Sequence, residues 1–157
     1  MINPKQLRIN VIRPVLQSIG LWSQAAENLL LGTAAQESGM GQYLVQLGNG
    51  PARGIFQMEP ATLEDIEINY LGYRNDLRNK VNGFAFPALT HEDNLTCNLA
   101  FAAVMCRVHY LRKPGALPDA NDIPGMAGYW KLHYNTPLGK GSVHEFVENY
   151  NRYVGSD

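Results

Sequence analysis

Two residues carry the chemistry legible in this chain. Glu37 closes the apolar run "SQAAENLLLGTAAQES" (residues 23–38), and Gln57 interrupts the short apolar segment "GIFQMEP" (residues 54–60). A carboxylate at a helix C-terminus faces the negative end of the macrodipole, and apolar neighbours strip water from its anion. Both effects raise its pKa. A carboxyl that stays protonated near neutrality can act as a general acid, giving its proton to the leaving oxygen of a glycosidic bond. On placement alone, an ordinary solvated glutamate at a helix end is the commoner case. An amide within an apolar run needs partners. Gln57 either bonds to nearby backbone or projects into a cleft to hold a sugar N-acetyl or hydroxyl group.

The elements that must position these two side chains follow from local pattern. Residues 4–19 place Leu7, Val11, Ile12, Val15 and Leu16 at helical spacing, with Pro14 as a kink. Ser23 caps the helix that carries Glu37, and Gly39 stops it. "LGNGPARG" is turn chemistry, so a short hairpin or irregular sheet is expected over residues 40–57. Pro60 opens a helix running through Leu63, Ile66, Tyr70 and Leu71. Residues 73–91 read as a loop with a short helix. "EDNLTCNLAFAAVMCRVHYLRKPG" is one long helical signal ended by Lys113, Pro114 and Gly115. Further helices are expected around 122–134 and over 143–154, the latter opened by a capping box of Ser142 and Glu145. The expected fold is mainly α, five to seven helices with one small sheet, in a single domain spanning residues 1–157.

Composition narrows the function. Of 157 residues, 45% are hydrophobic and 17% charged, which fits one folded domain with its own core. A net charge of -1 argues against a nucleic-acid partner. No apolar run reaches membrane-spanning length, and the opening residues lack the apolar core and cleavage site of a signal peptide. Cys97 and Cys106 lie in one predicted helix, roughly 13 Å apart along its axis, too far for a disulfide, and are expected to be buried thiols. The histidines at 91, 109, 133 and 144 are scattered, and "HEFVE" lacks the second histidine of a zinc helix. "GNGPARG" has neither the lysine nor the spacing of a phosphate loop. No metal or cofactor is expected.

Taken together, the residues resemble the lytic transglycosylase and goose-type lysozyme superfamily. That family has a helix ending in Glu-Ser, followed about twenty residues later by Gly-Ala-x-Gly-Leu-Met-Gln-x-Met-Pro-x-Thr. Here Glu37 and Ser38 match the first block. Ala52, Gly54, Gln57, Pro60 and Thr62 match the second, with Ile55 and Phe56 as conservative replacements. "NLAFAAVMCRVHYL" resembles the family's Asn-x-x-x-Gly-x-x-Tyr-Leu helix. "HYNTPLGKG" resembles its Tyr-Asn-x-Gly block, at Tyr134 and Asn135. "ENYNRYV" resembles the terminal Glu-x-x-x-Tyr-Val block, with Tyr150 or Tyr153 as the counterpart tyrosine.

The resemblance implies an α+β lysozyme-like fold acting on peptidoglycan glycan strands. Glu37 would protonate the oxygen between N-acetylmuramic acid and N-acetylglucosamine and then, as base, draw the 6-hydroxyl onto the anomeric carbon to leave a 1,6-anhydro end. Gln57 and Tyr134 would position the sugar; Ser38, Glu59, Asn135, Tyr150 and Tyr153 would be further substrate-binding residues, with a helix-end hydrogen bond as the equal alternative for Ser38. Domains of this kind without a signal peptide look like those of bacteriophages, which implies a virion component or lysis protein. It would have other virion proteins as possible partners and act in the periplasm or at the cell wall, staying cytoplasmic until released. Two departures stand out. Glu59 replaces the methionine before the motif proline, which opens the alternative of a hydrolase using Glu59 to activate water. A serine common between the two main blocks is replaced by Gly48, Asn49 and Gly50, and residues 72–92 are long enough to form a rim over the cleft. Tyr129, Trp130 and Tyr134 read as either a sugar platform or aromatic core. A non-catalytic wall-binding or virion structural module on the same fold is the reading from another class.

Overall fold

The computed structural model describes residues 1–155. The chain is mainly helical. The first segment runs through α1 (Pro4–Leu7), a π-helical stretch (Arg8–Ile12) and α2 (Arg13–Ser18). Pro14 therefore does not end the helix: the turns before it widen, which relieves the clash of its ring with the preceding turn.

At the centre lies α3 (Gln24–Ser38). Ser23 caps it by accepting from the Ala26 N–H at 3.0 Å. Gly39 ends it in the left-handed region at φ 58°, its N–H bonded to the Ala35 carbonyl at 3.1 Å. Residues 26–35 of this helix are buried throughout, because α7 (Leu99–Leu111), α8 (Ile123–Trp130) and α9 (Val143–Asn149) pack around it. Trp130, Tyr110, Phe101 and Phe146 supply the bulk of the core with Leu29, Leu30 and Leu31. The remaining helices are α4 (Pro60–Asn69), α5 (Asn75–Asn82) and α6 (His91–Cys97).

Four expectations change. No hairpin ladder forms over 40–57; instead Arg53 makes isolated bridges to Val45 and to Met58. Asn49, Gly54 and Gln57 all take positive φ there, and each such residue turns the chain out of a strand path. The helix opened by Pro60 stops at Asn69, with Leu71 in a separate 3-10 turn (Leu71–Tyr73). The long helical signal over 92–111 is broken at Asn98, whose backbone is extended at φ -119° and ψ 97°. Its side chain caps the next helix by accepting from the Phe101 N–H and donates to the Phe84 carbonyl and Asn94 Oδ1. The two cysteines consequently lie in different helices; Cys106 is buried but Cys97 is exposed. The expected helices over 122–134 and 143–154 form with π-helical ends, Lys131–Asn135 and Tyr150–Val154. The Ser142–Glu145 capping box is present in full.

Candidate active site

Glu37 is the penultimate residue of α3, and its side chain reaches a cleft of about 640 Å³ that Gln57, Glu59, Tyr134 and Asn135 also line. The helix end is held by Ser38, which donates to the Ile55 carbonyl at 2.6 Å and accepts from the Gly41 N–H at 2.9 Å. Tyr43 donates to the Glu37 carbonyl at 2.7 Å. These bonds fix the backbone on either side of the acid.

The carboxyl has one protein partner. Trp130 donates its indole N–H to Glu37 Oε1 at 2.8 Å, and Oε2 takes no hydrogen bond from the described residues. Burial pushes the Glu37 pKa up to about 7, against the lowering effect of the Trp130 bond. Its position on the last turn of α3 acts in the same direction as burial. Near neutrality this carboxyl is thus substantially protonated, with the proton's natural seat on the oxygen that Trp130 leaves free.

Gln57 sits at φ 48°, in the left-handed region, and is nearly buried. Both its backbone N–H (3.0 Å) and its Nε2 (2.8 Å) donate to the Gly54 carbonyl. The backbone-bonding and cleft-facing readings therefore hold together: Nε2 is tied down, while Oε1 accepts from no described residue. Gly54 makes this turn possible. Its φ is 78°, and a Cβ there would lie 1.9 Å from the Leu95 carbonyl oxygen. Gly54→Ala is expected to cost about 2–4 kcal/mol, combining left-handed strain with a backbone clash. Urea unfolding measures the loss, which should take the Gln57 turn with it.

Tyr134 and Asn135 come from the π-helical turn after α8, an irregularity common at functional sites. The Tyr134 hydroxyl donates to the Phe56 carbonyl at 2.6 Å, tethering the Gln57 segment. Asn135 Oδ1 accepts from Lys131 Nζ at 2.7 Å; the same ammonium donates to the Gly139 and Gly141 carbonyls. One lysine thereby shapes the loop 136–141 that forms the cleft's rim with Leu138 and Lys140. Glu59 is an exposed member of the same lining and makes no cap bond to α4.

Three predicted substrate-binding residues lie elsewhere. Ser38 is fully buried and its hydroxyl is committed to backbone, so of its two readings the helix-end hydrogen bond is the one the structure shows. Tyr150 lines a separate depression of about 800 Å³ beside Arg8, Arg13 and Asn28. Tyr153 lies outside the cleft lining, its hydroxyl accepting from Gln42 Nε2 at 3.0 Å. The expected rim over 72–92 is also absent from the lining, because α5 packs back against α7. Of the aromatic trio, Trp130 is core, with its N–H on the acid. Sequence reasoning missed that bond, and also Tyr43, Gln36, Gln46 and His109 in the lining. Tyr43 alone had a local signal, a polar aromatic six residues beyond the acid.

Among the described residues no cluster of three or more His, Cys, Asp or Glu could hold a metal, and no helix is long and apolar enough to cross a membrane. No protein-family model, no curated protein and no solved structure matches this chain. The case for function rests on the geometry of the cleft and on the motif blocks.

Proposed function

We propose that this chain cleaves the β-1,4 bond between N-acetylmuramic acid and N-acetylglucosamine in peptidoglycan, as a lytic transglycosylase with a lysozyme-like active site. The observation that carries the reading is a single proton-loaded carboxyl, Glu37, sharing a cleft with the unengaged Oε1 of Gln57. Glu37 passes its proton to the glycosidic oxygen as the bond from the muramic anomeric carbon breaks. The resulting carboxylate then takes the proton of the muramic 6-hydroxyl while that oxygen bonds to the anomeric carbon. An anhydro ring forms and Glu37 is protonated again, so no second carboxylate and no water are consumed. Gln57 Oε1 accepts from a sugar hydroxyl or acetamido N–H. The motif resemblance extends the reading to a bacteriophage setting, in a virion or beside lysis genes.

One observation favours a second reading. Glu59 lines the same cleft, is exposed, and is not engaged in capping α4, so it is available to activate water in an inverting hydrolysis. Digestion of purified sacculi followed by mass analysis of the muropeptides separates the two. Anhydro ends are expected, and unchanged in Glu59→Gln. Reducing ends that vanish in Glu59→Gln would replace transglycosylation with hydrolysis. Binding to sacculi without release of fragments would leave a non-catalytic wall-binding module.

A further inference from the structure

His109 lies in the last turn of α7 and is only 6% exposed, yet it lines the cleft. Its Nδ1 sits 3.1 Å from Arg112 Nη2. A guanidinium only donates, so Nδ1 must be the acceptor and the ring proton must reside on Nε2. Arg112 is itself anchored by an ion pair with Asp65 on α4. The imidazole is flanked by the Tyr134 ring, centroids 4.8 Å apart. Nε2 has no hydrogen-bond partner among the described residues. Nor is it sealed: among the described residues the one fully buried side-chain polar atom lacking a partner is Arg112 Nε. The ring thus lines the cleft and carries at Nε2 a lone donor that keeps some exposure on an otherwise buried side chain.

Resting on the glycan-cleavage reading, we infer that His109 donates its Nε2–H to a carbonyl or hydroxyl oxygen of the bound sugar, in the tautomer that Arg112 imposes. The ring is a binding residue, and Arg112 is the residue that positions its proton. Burial, then the charges of Arg112 and Lys113, push the imidazole pKa down to about 3, with Asp65 opposing and His133 adding to the repulsion. A neutral donor suits an uncharged sugar, because it discriminates by geometry and does not draw in anions.

The test uses the Glu37→Gln protein, which binds without turnover, with ¹⁵N-labelled histidine and tri-N-acetylchitotriose as the probe. Without sugar, His109 is expected to hold the Nε2–H tautomer throughout the range in which free histidine titrates, and Arg112→Met should let the tautomers mix. Adding the trisaccharide should shift the His109 Nε2–H signal. His109→Phe should weaken binding about tenfold, the worth of one hydrogen bond, and His109→Gln should restore most of it. An Nδ1–H tautomer in the free protein overturns the inference. So does a bound trisaccharide that leaves the His109 signal unmoved, in which case glycan cleavage still stands. No trisaccharide binding, together with sacculi that the parent protein with Glu37 in place leaves intact, overturns both.

Discussion

Glu37→Gln is expected to abolish release of soluble muropeptides from sacculi while making the folded protein more stable at neutral pH. The loss follows from its double duty. The same carboxyl must give a proton and then take one, and general acid–base assistance is worth about 10²–10⁴-fold, so turnover should fall by at least about 10²-fold. The gain in stability follows from the raised pKa, about 7 against an ordinary 4.5. Below pH 4.5 both folded and unfolded chains carry the proton, and Glu37 has no effect on stability. As pH rises towards 7 the unfolded chain ionises while the folded one resists, so stability is lost across that interval and stays lost above it. A neutral amide removes this penalty, of the order of 3 kcal/mol above pH 7. Urea unfolding at pH 4 and pH 8 measures it: the variant should gain at the higher pH and match the parent at the lower. In the parent, activity should decline as pH rises through about 7, where the acid loses its proton. An equal loss of activity with no gain in stability would mean that Glu37 is solvated, and the assignment of the acid would fail.

How much of this site could be read from the chain depends on how local its causes are. The end of α3 was legible because Ser23 and Gly39 act within one turn of themselves, and the same is true of the Ser142–Glu145 box. Gln57 and Glu37 are legible as a pair because their separation and flanking glycine and proline resemble a family motif, and both line the one cleft. The break at Asn98 was only half visible. Asparagine is a good N-cap, but helix propensity runs straight through it, and what stabilises the extended residue is its bond to the Phe84 carbonyl fourteen positions back. The Trp130 bond to Glu37 spans 93 residues and leaves no trace in either neighbourhood. Tyr150 and Tyr153 enter only through a terminal motif block, which carries no information on where the π turn over Tyr150–Val154 directs either side chain. The missing sheet has a similar cause: the stretch that announces a turn also takes positive φ at Gly48, Asn49, Gly54 and Gln57, and the two non-glycines among them give no sign of it in the sequence.

Glu27→Gln should have the largest effect on stability with no direct effect on chemistry. Glu27 is fully buried at the start of α3. Its Oε1 accepts from Arg8 Nη1 at 2.7 Å and Arg13 Nη2 at 2.8 Å, and its Oε2 from Arg13 Nε at 2.9 Å and Trp22 Nε1 at 2.6 Å. Burial alone would push this carboxyl up, but the bonds from Arg13, Trp22 and Arg8, with the charge of Arg13, bring it down to about 2. An amide cannot balance two guanidinium groups, and removing one partner of a buried ionic network costs about 3–5 kcal/mol. Against a total of about 5–15 kcal/mol, that is a large share of what keeps the domain folded. The stability that Glu27 supplies is present in full above pH 4.5 and is lost as pH falls towards 2, because only the unfolded chain binds the proton readily there. Urea unfolding should therefore show a deep loss for the variant at pH 7 that shrinks as both proteins are acidified. Activity per folded molecule should be unchanged, since Glu27 and Glu37 stand ten residues apart on one helix, roughly 15 Å along its axis. At its positive N-terminus α3 favours the anion at Glu27, and at its negative C-terminus it favours the proton at Glu37. The same backbone dipole thus anchors the fold at one end and loads the acid at the other.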